Sequence, residues 1–362
     1  MRGIVPSFLQ RLSRQRCFAS ALASLVLTGC AHVSPSNVTT DRMGYGHVVA
    51  ESWKRQALLN VVRLRYADAP VFLEVASIIN SYTVGGNANA QAQIPSRPTG
   101  PDVFTLGGTA NWSNTPTVTY QPLIGDRFTR SLLQPIPPVS IFQLLQGGWP
   151  ANLVLRTVVG SVNGLRNALA GVASDPRFDE LSDALTRIQR AGNIGIRVEP
   201  GRAGGAIIAV IRRAESGTEL SEDSRRVRQL LGLNEDVTDF EITYGLIPRN
   251  PNEVALLSRS MMEIMLQLGF GIDLPTDDAA GGRALPGQWK AGDERAKPLV
   301  HIYSGTDPPA DAYAAVPYKG YWYWIDDKDV PSKTIFTFLM ILFSLAETGP
   351  STAAPVVTVP SR

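Results

Sequence analysis

The densest group of residues able to do chemistry is Tyr318 to Asp329, which reads YKGYWYWIDDKD. On a strand, Trp322 and Trp324 fall on one face and Tyr321 and Tyr323 on the other, with Asp326, Asp327 and Asp329 at the end. Indole rings beside carboxylates can stack a sugar ring and accept its hydroxyls, so Trp322, Trp324, Asp326 and Asp327 form a candidate ligand platform. The competing reading is a core strand whose last acid, Asp329, caps a helix opening at Pro331. Aromatics are common in strands, which favours the second reading. The acids do not make a calcium loop, because Pro331 stands where a further oxygen ligand is needed.

His301, with Ser304 and Asp307 nearby, suggests a triad, but strand alternation sends His301 and Ser304 to opposite faces. With three histidines in the chain, a histidine-rich metal site is not expected. Gly107-Gly108, Gly204-Gly205 and Gly281-Gly282 lack the spacing that cradles a phosphate and read as turns. Two acids distant in sequence could still pair for glycoside hydrolysis, yet nothing singles out a pair. No catalytic residue, metal ligand or cofactor is therefore assigned, and a non-enzymatic role is favoured.

Cys30 carries a different chemistry. Arginines from Arg11 to Arg16 precede an apolar run, Cys17 to Leu27, and then Thr28-Gly29-Cys30. That order is an export signal, and its apolar run is too short to span a bilayer. Leu27-Thr28-Gly29-Cys30 looks like a lipobox, where the cysteine thiol is acylated and the chain cut before it. Cleavage would remove Cys17 and four arginines, leaving no free thiol and turning a net charge of +2 into about −2. Thiol catalysis and disulfide staples are then excluded, and scattered basic residues give no footprint for nucleic acid. By similarity to Gram-negative lipoproteins, Ala31 in place of a retaining aspartate implies the outer membrane, periplasmic face. Ala31–Gly44 reads as a polar tether.

The elements around these residues imply an α+β fold with mixed or antiparallel sheets. Residues 46–66 have helical periodicity, and 71–84 read as a β-branched strand. From 85 to 121 the chain is almost uncharged and alternates with a period of two, which suggests three further short strands in a meander spanning about 71–121. Residues 126–191 read as helical; 194–200, 205–213 and 236–246 as strands; and 219–231 as a helix. Asn250-Pro251-Asn252-Glu253 reads as the cap of a long helix ending at Gly269, and 276–297 as a loop. Strands at 298–304 and 320–325, a buried apolar helix from Pro331 to Ala346 and a terminal strand 355–359 complete the chain. These divide it into a signal (1–29), an anchor and tether (30–45), a helix-plus-meander region (46–125), a helical region (126–191) and an α+β region (192–362).

ESWKRQALLNVVRLRYADAPVFLEV, PTVTYQPLIGDRF and GYWYWIDDKDVPSKTIFTFLMILFSLA with PVVTVP resemble a family of Gram-negative envelope lipoproteins. The resemblance implies a single defined envelope protein and brings no activity, ligand or catalytic residue with it. The expectation is an outer-membrane-anchored lipoprotein with a structural or assembly role, held by lipid on Cys30 and working through envelope protein partners. Surface-polysaccharide binding or hydrolysis is the alternative. A second alternative is a subunit lending strands 71–121 to an oligomeric outer-membrane barrel. Against the barrel, the apolar positions at 88–92 are only alanine, a poor surface for lipid, which favours a soluble meander packed on the rest of the chain.

Overall fold

The computed structural model describes residues 35–93, 103–199, 206–211, 217–287 and 297–346. Cys30 and the lipobox, Ala31–Ser34 of the tether and the strand expected at 355–359 lie outside them. Contacts divide the chain into two units, Met1–Trp53 and Lys54–Arg362. In the first unit the described part is the start of helix α1 (Pro35–Arg65). The tether reading is corrected from Pro35 onward: that proline's fixed φ suits a first helical turn, and Gly44 and Gly46 weaken the helix without stopping it.

The second unit has the expected α+β fold. Its largest sheet has six strands in the order β4-β3-β8-β7-β6-β5: β3 (Val159–Val162), β4 (Leu165–Arg166), β5 (Ile194–Glu199), β6 (Ala206–Ile211), β7 (Asp239–Tyr244) and β8 (Glu253–Ser258). All neighbours are antiparallel except β7 and β8. A three-stranded sheet orders β10 (Ala312–Tyr318), β11 (Tyr321–Asp326) and β9 (Tyr303–Gly305). The remaining strands, β1 (Leu73–Gln93) and β2 (Val103–Pro122), pair only with each other.

Helix ends follow local rules. Asp175 accepts from the Arg177 amide to cap α5 (Pro176–Arg190), and Thr218 caps α6 (Glu219–Leu231), which closes on left-handed Gly232. Between β2 and β3 lie α2 (Gly125–Phe128), a π-helical turn (Thr129–Leu133), α3 (Pro138–Gln146) and α4 (Ala151–Val158). Fully buried residues include Phe178, Leu181 and Ile188 of α5, Phe240 of β7, Ala255 of β8, and Leu58 and Val61 of α1. Phe336, Phe338 and Leu339 are fully buried on the apolar α9 (Val330–Ala346), as expected of a core helix. Among the described residues no helix is long and apolar enough to cross a membrane.

Three expectations need correction. The helical stretch 126–191 is interrupted by β3 and β4, whose turn is Asn163-Gly164 with φ of 45° and 81°. Positive φ at both positions is what an Asn-Gly hairpin turn supplies. The long helix from 250 to 269 is instead β8 followed by α7 (Met261–Gly269). Val254, Ala255 and Leu256 are buried on a central strand, where an unbroken apolar run has no alternation to distinguish it from a helix. The real cap is Ser260, in a reciprocal box with Glu263. The loop expected at 276–297 opens with a short helix, α8 (Thr276–Ala280).

Candidate functional site

The β segment expected at about 71–121 is one antiparallel ribbon of two long strands, 21 and 20 residues, rather than a run of short ones. At about 3.4 Å per residue each strand spans roughly 65–70 Å. Transmembrane β-strands need only about 9–11 residues. The register is continuous from Ser77↔Thr119 to Gln93↔Val103, above a bulge at Val75/Ser77. Among the described residues neither outer edge is paired.

Alternation along that register sorts the ribbon into two sets of positions. One holds Ser77, Asn87 and Asn89 with Thr109, Asn111, Ser113, Thr115, Thr117 and Thr119, all exposed. The other pairs Val84 with Trp112, Ala88 with Gly108, Ala90 with Leu106 and Ala92 with Phe104. Where β1 contributes alanine near its far end, β2 contributes Leu106 and Phe104. By register, then, the set of positions that holds the alanines also holds Leu106 and Phe104.

The root of the ribbon is clamped by α1. Gln56 and Asn60 stand one helical turn apart, and each acts as a surrogate strand. The Asn60 amide donates to the Val71 carbonyl (2.8 Å) and accepts from the Val71 N–H (2.9 Å). Gln56 does the same at Leu73, at 3.2 and 2.8 Å. Phe72 between them is buried against Phe343, with ring centroids 5.6 Å apart. Arg127 pairs with Glu74 just above, so the charges at the root cancel. Sequence reading missed this clamp, and the only local signal was two amide side chains at i and i+4 before an extended segment.

The candidate platform residues Trp322, Trp324 and Asp326 lie on β11, and Asp327 follows in the turn after it. Trp322 and Trp324 are half-buried on β11, and Trp324 is stacked on Tyr303 at 5.8 Å. The acids serve the turn: Asp326 accepts from the Lys328 amide (2.7 Å), and Asp327 pairs with Lys333 (2.7 Å). Asp329 accepts from the Ser332 N–H (3.1 Å) and hydroxyl (2.6 Å), the helix cap that the sequence suggested.

His301 does not meet Ser304. Its Nε2 lies 2.6 Å from Asp273, a partner 28 residues away that spacing could not reveal, and that hydrogen bond raises the imidazole pKa. A second polar cluster is buried: Tyr66 donates to Asp278 (2.6 Å) and Tyr323 lies 2.6 Å from the Tyr66 hydroxyl, while the exposed Arg283 pairs with Asp278 from outside (3.0 Å). Burial, first, and those hydrogen bonds push the Tyr66 pKa far up. Among the described residues no group of acids, histidines or cysteines could hold a metal.

A groove of about 1140 Å³ opens over β3 and β8, rimmed by exposed Leu133, Leu169, Val172, Tyr244 and Leu246. Arg259 on its floor is buried and donates to the carbonyls of Arg156 (3.0 Å), Thr157 (3.3 Å) and Ala168, which leaves little of it for an anion. Burial lowers its pKa to about 10.

These features define a mixed α+β body bearing a projecting antiparallel ribbon. No family model, no curated protein and no solved structure matches the chain.

Proposed function

We propose that this chain is an envelope lipoprotein, anchored through lipid on Cys30 in the outer membrane, whose copies pair their β1–β2 ribbons edge to edge into an oligomeric β-barrel. The carrying observation is the ribbon: about twenty residues a strand, both edges unpaired among the described residues, one set of positions polar and the other largely apolar. An isolated two-stranded ribbon is marginal in water, and open edges invite pairing. Closure into a barrel satisfies the edges, puts the apolar set against lipid and the polar set against water. The assembly role expected from the sequence then becomes self-assembly.

Full-length protein extracted from outer membranes in mild detergent is expected as an oligomer that electron microscopy resolves as a ring. Replacing residues 76–119 with a short turn should leave a folded monomer. A Cys30-truncated body that stays monomeric and soluble without detergent, ribbon intact, would sink the proposal.

A further inference from the structure

We infer that the channel through such a barrel is charge-blind: its wall is hydroxyl and amide, and it passes hydrated solutes without selecting cations over anions. The inference rests on the barrel reading and names what the barrel conducts.

Nine exposed positions of the polar set, from Ser77 and Thr119 near the root to Asn89 toward the tip, carry Ser, Thr or Asn. None is ionisable, and none is large enough to plug a lumen. Among the exposed positions of this set Ile79 and Gly107 are the exceptions, one near the root and one without a side chain, and the register also places Gly85 and Val103 in it, neither of them ionisable. Between Glu74 and Asp126 the chain has only two charged residues, Arg97 and Asp102, of opposite sign and both in the connection between the strands. At the root, Glu74 is tied to Arg127.

Ion selectivity in pores arises from rings of charged side chains or from carbonyl cages that strip the hydration shell. Symmetry would multiply any single charge on this wall into a ring, and the described wall supplies none. Hydroxyl and amide groups donate and accept equally, so they solvate either sign of ion. Neither sign therefore gains an advantage along the ribbon.

The test is planar-bilayer recording of the purified full-length oligomer under a KCl gradient. The expected permeability ratio of potassium to chloride is about one. Charge is then added after assembly: Thr109→Cys on the polar set is treated with anionic or cationic methanethiosulfonate reagents from solution. The anionic adduct should make the pore favour potassium and the cationic adduct chloride, whereas Gly108→Cys, on the opposite face, should give no shift with either reagent. A strongly selective unaltered pore, or Thr109→Cys adducts that leave the ratio unchanged, overturns the charge-blind lumen while the barrel itself stands. Absence of any conductance from inserted protein removes the barrel reading and this inference together.

Discussion

The Tyr66 hydroxyl has one proton to give, and Asp278, 2.6 Å away and buried, receives it. Tyr323 must then be the donor to Tyr66, so the three groups form a directed chain. Removing its end differs from removing its middle. Tyr323→Phe deletes one hydrogen bond, a loss of about 1 kcal/mol. Tyr66→Phe strands a buried carboxylate oxygen and the Tyr323 hydroxyl together, each costing about 1–3 kcal/mol. Urea denaturation should therefore rank Tyr66→Phe as the clearly weaker protein. His301 gives a pH-dependent counterpart. Its folded pKa is raised above 6.5 by Asp273, so its stabilising contribution is complete below that value. It fades as pH rises through the raised pKa. Asp273→Asn should lower the imidazole pKa in an NMR titration and flatten the difference in melting temperature between roughly pH 5.5 and pH 8.5. Solvent screening at this part-exposed pair keeps the stability effect small.

The clamp beneath the ribbon works as an element. Gln56 and Asn60 give α1 two donor–acceptor pairs, which replace the missing neighbour strand at the point where β1 begins. Asn60→Ala leaves the Val71 N–H and C=O without those partners in a part-buried position, which should cost about 1–3 kcal/mol. Faster amide exchange at Val71 and Leu73, with little change in the six-stranded sheet, would distinguish a loosened root from general unfolding. Element type was legible where the sequence carries its own punctuation. Asp175-Pro176, Thr218 with Gly232, and Asp329-Val330-Pro331 mark helix ends with groups whose chemistry is local. It was illegible where the deciding partner is distant. Glu253 looked like a third helical residue, but its carboxylate accepts from the Arg249 amide (2.9 Å) and from Thr243 on the neighbouring strand. Likewise alternation revealed that 85–121 is β without revealing how many strands it makes. That number depends on whether Val84 and Trp112 face each other across a ladder, a long-range pairing with no local signal.

At the scale of the whole molecule, a lipid anchor and a ribbon barrel would be two independent attachments to one membrane, and they should fail separately. Lipid on Cys30, as proposed, would hold a single copy by acyl chains, each buried CH₂ adding about 0.8 kcal/mol. Ribbons hold only as a closed set, because an unclosed edge in hydrocarbon leaves backbone groups unsatisfied. Deleting residues 76–119 should therefore yield a monomer that still sediments with membranes and is extracted by detergent. Cys30→Ala in an otherwise intact chain should abolish the proposed acylation, and any copies that still reach the membrane should resist carbonate extraction only as oligomers. The double variant should be recovered from the periplasm without detergent. Fractionation of the three variants, with palmitate labelling to report the anchor, separates the two attachments. If the ribbon-deleted protein with Cys30→Ala stayed in the membrane, some third contact would hold it, and the exposed apolar rim around the groove over β3 and β8 is where a search should begin.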